Sequence, residues 1–410
     1  MTKIVECDEL IYKLYLGKRE AMVVQCIDEE RTGHVDIPSE IEYEEVMYRV
    51  TRIGEYAFAD CCNLTAITIP EGVKKIEQGA FSGCYCLLFI DIPESVTRIG
   101  KRAFSYCSSL TSITIPKGVR SLEYSVFAHC RCLTTVTIPE RVKHIKGRAF
   151  SGCHDLTAIT IPKSMTSIEK DAFSWCATLA SITVAEGNKV YDSREGCNAV
   201  VETASNTLVA GCYRSVIPSS VTSIGASAFN GCLSLTSITI PMSVMCIEEH
   251  AFYSCIKLST ITISDSVASI GRGAFFGCDK LSSICIPSSV KSIKIGTFYN
   301  CFNLTSITIP EGVTSIGEEV FSDCRRLTSI TLPKSLTHIN KYAIVRCRRL
   351  TDVYCHAEEL PTITEEREDS NFAKPRLRFK HVTLHVPESA IEQYKNTEPW
   401  SKFGTIVAIK

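Results

Sequence analysis

Leu304 to Cys324 read LTSITIPEGVTSIGEEVFSDC, and close variants of this string recur every 23 residues along most of the chain. Phenylalanine stands at 58, 81, 104, 127, 150 and 173, then at 229, 252, 275, 298 and 321, with Ile344 in the next place. Every step inside each run is 23 residues, and the gap from Phe173 to Phe229 is one such unit followed by one of 33. Ten extra residues are therefore absorbed by a single unit, after which the register resumes. Self-similarity at a fixed short period is the mark of a stacked repeat and not of a conventional globular core.

Within each unit the third residue after the Phe is cysteine, from Cys61 to Cys347, and the sixth is leucine, from Leu64 to Leu350. Positions nine and eleven are Ile or Val in nearly every unit, as in Ile113 and Ile115, and position twelve is usually proline, as in Pro70, Pro116 and Pro310. The string L-x-x-I-x-I-P is the strand signature of a leucine-rich repeat with Ile in place of the later Leu. Val at fifteen and Ile at eighteen (Val96 and Ile99, Val313 and Ile316) supply a second short β-branched stretch. Each coil thus offers two strands and a short helical or irregular turn around the Phe. One coil cannot bury its own Phe, Leu, Ile and Val, but coils stacked at about 4.8 Å bury each residue against its equivalents. The expected fold is a mainly β or α/β solenoid, an elongated right-handed superhelix. It carries a parallel sheet on the concave side and short strands and turns on the convex side.

These residues resemble the BspA-like leucine-rich repeat family, whose units look like LTSITIPEGVTSIGEGAFSGC. The resemblance spans about residues 50 to 355. It implies a noncatalytic scaffold for protein binding or adhesion, bacterial and often surface-exposed or secreted. The first 25 residues lack the apolar stretch of a secretory signal, so both surface and cytoplasmic locations stay open. Residues 1–49 read as a strand-rich N-terminal cap, with strands at Leu10–Leu16, Ala21–Cys26 and Glu45–Val50. Residues 50–355 read as the repeats, with a hairpin-containing 33-residue unit near 185–217. Residues 356–410 read as a C-terminal cap: a last repeat strand at Val382–Pro387, a helix at Ser389–Tyr394 and a closing strand at Thr405–Ile409. Ile391, Tyr394, Trp400 and Phe403 are expected to cover the final coil.

Charge is balanced, 44 Lys and Arg against 45 Asp and Glu, which argues against nucleic acid as a partner through net charge. No apolar run reaches the length of a membrane helix, so no membrane insertion is expected. No H-E-x-x-H, phosphate-binding glycine loop or G-x-S-x-G occurs, so an enzyme is not expected. The 22 cysteines are mostly ladder residues and read as buried free thiols. Cys62, Cys84, Cys86, Cys130 and Cys132 with His129 include two C-x-C spacings, a poor match to the usual C-x2-C zinc pairs. No metal or cofactor is expected.

Surface positions carry the remaining information. Positions eight and ten of the first strand form a Ser/Thr ladder, as in Ser112 and Thr114 or Ser306 and Thr308. Its exceptions, Phe89 and Asp91 near the start and Asp352 and Tyr354 near the end, are candidate binding residues. Tyr253, Phe276 and Tyr299 occupy one position in three successive coils, with Phe302 nearby. They form either a contact strip or packing over a looser core, and a carbohydrate-binding module using this strip is the alternative to a protein-binding scaffold. Arg325, Arg326, Arg346, Arg348 and Arg349 are expected to converge into a basic patch, which a solvated face balanced by Glu318, Glu319 and Asp323 would also explain.

Overall fold

The computed structural model describes residues 1–27, 32–340, 342–364 and 379–409. Its chain forms two compact units, Met1–Ser193 with Asn198–Ala204, and Arg194–Cys197 with Ser205–Lys410. Each is a β-solenoid whose strands pair in parallel at the repeat period.

The first strand of each coil alternates as its sequence dictates, polar residues outward and Ile or Val inward. In the first unit Ser112–Thr114 pairs with Thr135–Thr137 and Ala158–Ile161 with Ser181–Val184, always like position on like position. In the second unit one row runs Ile307, Ile330, Val353, Leu384 and Ile406 through five paired strands. The second strand is only two residues long in most coils, yet it is equally regular. Ile53, Ile76 and Ile99 are paired in one sheet, and Ile293, Ile316, Ile339 and Ile363 in another. Serine side chains bind successive coils together. Ser95, Ser164, Ser266, Ser289 and Ser335 each donate to the carbonyl of the core valine in the preceding coil.

The turn around the Phe is irregular, not helical. The residue two positions after the Phe is left-handed in coil after coil, from Asp60 (φ 58°) and Gly83 (φ 79°) to Asp323 (φ 56°) and Arg346 (φ 60°). The residue two positions before it does the same at Tyr56, Gly79, Arg102 and their successors. This alternation turns every second amide toward the next coil. Tyr56, Phe58 and Asp60 donate to the carbonyls of Gln78, Ala80 and Ser82, so the turn builds a third ladder of hydrogen bonds without forming a sheet. Space at this position depends on the neighbour's side chain: a Cβ on Gly152 would lie 2.6 Å from His129 Nδ1, so the imidazole would have to move.

Inside this turn the rings stack. Centroids from Phe58 to Phe173 follow one another at 5.3–5.7 Å, and those from Phe229 to Phe321 at 5.1–5.8 Å. Nearly all of these rings are fully buried. The ladder cysteines explain themselves here. Each thiol from Cys84 to Cys176, and from Cys255 to Cys347, donates to the Phe carbonyl of the coil before it, at 2.9–3.3 Å. A small apolar side chain with one weak donor fills the space and satisfies a buried acceptor. Desolvation pushes Cys176 and Cys347 up to about 12, so the thiolate is strongly disfavoured.

The N-terminal segment contains the expected strands, found at Leu10–Tyr15, Glu20–Cys26 and Val46–Ile53. Three further strands, Thr2–Cys7, Gly33–Asp36 and Glu40–Tyr43, go beyond the sequence reading. An antiparallel meander hands over to the parallel second-strand sheet where Ala21 meets Val50. In the 33-residue unit, Ala199–Glu202 and Thr207–Gly211 are strands flanking a turn, as the sequence suggests. Ala199–Glu202 pairs antiparallel with Tyr191–Asp192, and Thr207–Leu208 pairs parallel with Ser223–Ile224, restoring the repeat register. At the C-terminal end Thr383–Val386, the helix Ile391–Asn396 and Thr405–Ala408 follow the reading closely. Tyr394 and Trp400 are buried, while Ile391 and Phe403 are half-buried. The charged residues 365–378 of that segment lie outside the described residues.

This packing can be tested at its rings and at its thiols. Phe275, fully buried between Phe252 and Phe298, should cost about 3–5 kcal/mol when replaced by Ala in a denaturant titration, and a loss under about 1 kcal/mol would contradict its core position. The twelve ladder thiols are all free and buried, so a maleimide reagent should modify few of them in the native protein and all of them after denaturation without reductant.

Candidate binding surface

The outward face of the first strand is polar, and its exceptions are concentrated at two places. In the first unit Phe89 is 57% exposed and pairs with Ala66, while Asp91 pairs with Thr68. Leu88, beside it, is 53% exposed and occupies a position where every other unit carries Thr, Ser or Ala. Tyr85 of the same coil is also exposed. Sequence reasoning singles out Phe89 and misses Leu88, although the repeat alignment isolates both. Nothing in the first unit's fold requires large apolar groups at these outward positions, because the neighbouring coils do without them.

In the second unit Asp352 and Tyr354 share one strand, and the next strand adds His385, which the sequence reading does not include. His385 Nε2 lies 2.8 Å from an Asp352 carboxylate oxygen, and its ring stacks on Tyr354 with centroids 4.2 Å apart. The hydrogen bond to His385, supported by one from Thr351, holds the Asp352 carboxyl below its ordinary value. Strand pairing thus assembles an Asp, a Tyr and a His from two coils on a face lined in the other repeat coils of the unit by Ser and Thr, with Cys285 the further exception.

Tyr253, Phe276 and Tyr299 do form a strip: their rings stack at 4.5 and 4.6 Å, nearly parallel, and His250 meets Tyr253 edge-on at 5.3 Å. All three are half-buried, and burial raises both tyrosines above the ordinary phenol value. Phe276 has a stacked ring on each face, so the central ring of the strip presents its edge and not an open face. Phe302 is covered in turn by the Arg325 guanidinium at 4.4 Å.

The five arginines are all exposed. Asp323 is paired with Arg346 at 3.2 Å and with Arg325 at 3.7 Å, and the bond to Arg346 raises that guanidinium further. Arg326, Arg348 and Arg349 have no ion-pair partner among the described residues. Glu318, expected to balance this patch, is buried.

A second set of cations escapes the sequence reading altogether. On the second-strand face of the first unit, Arg52, Lys75 and Arg98 are paired in three successive rungs. Lys74, Arg120 and Lys143 occupy the position just before. The signal lies in the repeat alignment, since the second unit carries Ser223, Cys246, Ser269, Ser292 and Ser315 at the rung held by Arg52, Lys75 and Arg98.

Among the described residues no cluster of His, Cys, Asp and Glu is suited to a metal ion, and no helix is long and apolar enough to cross a membrane. Cys86 and Cys132 are exposed and Cys62 half-buried, while Cys84 and Cys130 face the core.

The family model described as BspA type leucine rich repeat region matches residues 51–180, 212–301 and 293–371. The chain belongs to this family. Among solved structures, it is similar to a leucine rich cell surface protein from Faecalibacterium prausnitzii. The two are 30% identical with a TM-score of 0.66, over 86% of this chain and 94% of that one. A leucine-rich repeat protein from Bacteroides ovatus is 28% identical with a TM-score of 0.50, over 81% and 95% of the respective chains. The pneumococcal vaccine antigen PcpA shares the fold at 20% identity and a TM-score of 0.70, over 100% and 98%. No curated protein matches the chain.

The Asp352–His385 bond gives this BspA-type chain a measurable acid dependence. A carboxyl held below its ordinary value of 3.8 stabilises the folded state fully above that value, and the contribution is lost as pH falls through the lower folded value. Asp352→Asn should therefore melt below the parent chain at neutral pH, with the gap closing in acid; a gap independent of pH would show that the ionised carboxylate contributes nothing.

Proposed function

We propose that the chain is a noncatalytic scaffold that binds a protein partner at the bacterial cell surface, with the first-strand face around Leu88 and Phe89 as its contact. The observation carrying this reading is the exposure of two consecutive large apolar residues, Leu88 and Phe89, at positions where the neighbouring coils carry only Ser, Thr or Ala. Exposed apolar groups on a rigid sheet are the usual anchors of a protein interface, where burial of aromatic and aliphatic groups supplies most of the affinity. The family and the Faecalibacterium relative, which is named a cell surface protein, support the scaffold role and the location. Asp91, in the same strand as Phe89, then belongs to the polar surround of this contact, while Asp352, Tyr354 and the arginines stand in the second unit as separate polar contacts. A carbohydrate module built on Tyr253, Phe276 and Tyr299 ranks second. Sugars stack on open ring faces, and here the rings cover one another.

Affinity capture from host extracts with the parent chain and with Leu88→Ser/Phe89→Ser separates the readings. The scaffold reading expects a specific protein that the double variant no longer retains, while the melting temperature stays unchanged because both groups are exposed. Retention by the double variant overturns the proposed contact. Clear glycan-array binding that disappears in Phe276→Ala/Tyr299→Ala would favour the carbohydrate module instead.

A further inference from the structure

The second-strand face of the first unit carries a line of cations that the fold does not demand. Several coils place Thr and Ser at its two outward positions, as in Thr166 and Ser167 or Thr314 and Ser315. The first five coils instead contribute Arg52, then Lys74 with Lys75, then Arg98, then Arg120, then Lys143. Arg52 faces Lys75 and Lys75 faces Arg98 across paired strands, an arrangement that like charges disfavour. Backbone bonds from Lys74 to Thr51 and from Lys143 to Arg120 fix the other row in the same register.

No carboxylate forms an ion pair with any of the six among the described residues. The acids nearest in register, Glu55, Glu77 and Glu123, stand two or three residues further along their own coils. Arg52 also lies over the Tyr15 ring, 5.5 Å from its centroid. His144 continues the row, paired with Ser121 and Ser167. The result is at least one fixed positive charge per rung, spaced at about 4.8 Å and extending roughly 20 Å.

We infer that this face binds a linear anionic polysaccharide, one bearing a sulfate or carboxylate on each sugar or nearly so. A rigid row with one cation per rung complements a polymer whose charges also repeat at about the length of one monomer, and counterion release drives the association. The row positions carry no Phe, Tyr or Trp on which successive unpaired bases could stack, which disfavours a single-stranded nucleic acid. It has no apolar centre either, so it lacks the anchors of a protein interface. The site lies on a different strand from Leu88 and Phe89, and it stands or falls separately from the protein contact.

The test uses the full chain and a labelled heparin oligosaccharide, with affinity measured by fluorescence polarisation across a salt series. The parent chain should bind, and binding should weaken steeply with salt. The variant Arg52→Ser/Lys75→Ser/Arg98→Ser restores the residue that other coils carry, so it should fold with an unchanged melt. It should bind about tenfold more weakly or worse and with a shallower salt dependence. Arg326→Ser/Arg348→Ser/Arg349→Ser should bind as the parent does, and Arg52→Lys/Arg98→Lys should keep most of the affinity. No binding by the parent, no loss in the first variant, or an equal loss in the second-unit variant overturns the assignment. So does tighter binding of single-stranded DNA of matched charge than of the oligosaccharide.

Discussion

Every coil depends on finding, one strand spacing away, another coil with the same residue at the same height. A 23-residue loop has no interior of its own, so the buried Phe, Leu, Ile, Val and Cys are shared between neighbours. Three independent hydrogen-bond ladders hold that register: the first strand, the second strand, and the left-handed turn in which Phe58 donates to Ala80 and Phe81 to Ala103. The Phe carbonyl links the turn to the core, because it accepts from the cysteine amide of its own coil and from the cysteine thiol of the next. A shift by one residue would disrupt all of these at once, which is why the period is kept so strictly through most of the chain.

This rigidity also explains how surface chemistry is distributed. A position that points outward in one coil points outward in every coil, and its replacement leaves the three ladders intact. The fold therefore tolerates Leu88 in a Thr position, Tyr354 in a Thr position and Arg98 in a Ser position at little structural cost. Side chains from successive coils then meet at one strand spacing, which is how Asp352 reaches His385 and how Tyr253 comes to lie on Phe276.

The sequence disclosed the fold through its periodic residues, since Phe, Cys, Leu and Ile recur at fixed intervals and each has one structural role. It concealed the turn geometry, because the left-handed positions hold Asp60, Tyr106, His129, Trp175 and Arg346 as well as glycine, and no single residue type marks them. The polar strand Glu40–Tyr43 escaped notice because it pairs through its backbone at an edge and shows no apolar run. Phe89 and Asp91 were legible as departures from the Ser/Thr ladder. The aromatic strip was legible as a position, but whether its rings stacked or splayed was a matter of side-chain rotation that spacing does not encode. Balanced net charge hid the cationic line, since the compensating acids lie elsewhere on the chain.

The turn ladder has a temporal consequence as well. Its bonds join residues 22 positions apart, as do those from Tyr56 to Gln78 and from Phe252 to Ala274. Almost nothing inside a unit waits for a distant part of the chain. Each coil can dock on the one made just before it as soon as it has been synthesised, so the N-terminal meander can serve as the template on which the first unit grows while later coils are still being made. A chain assembled in this order never exposes more than about one unfinished coil of apolar surface, a favourable property for a β-rich protein that would otherwise be slow to fold and prone to aggregate.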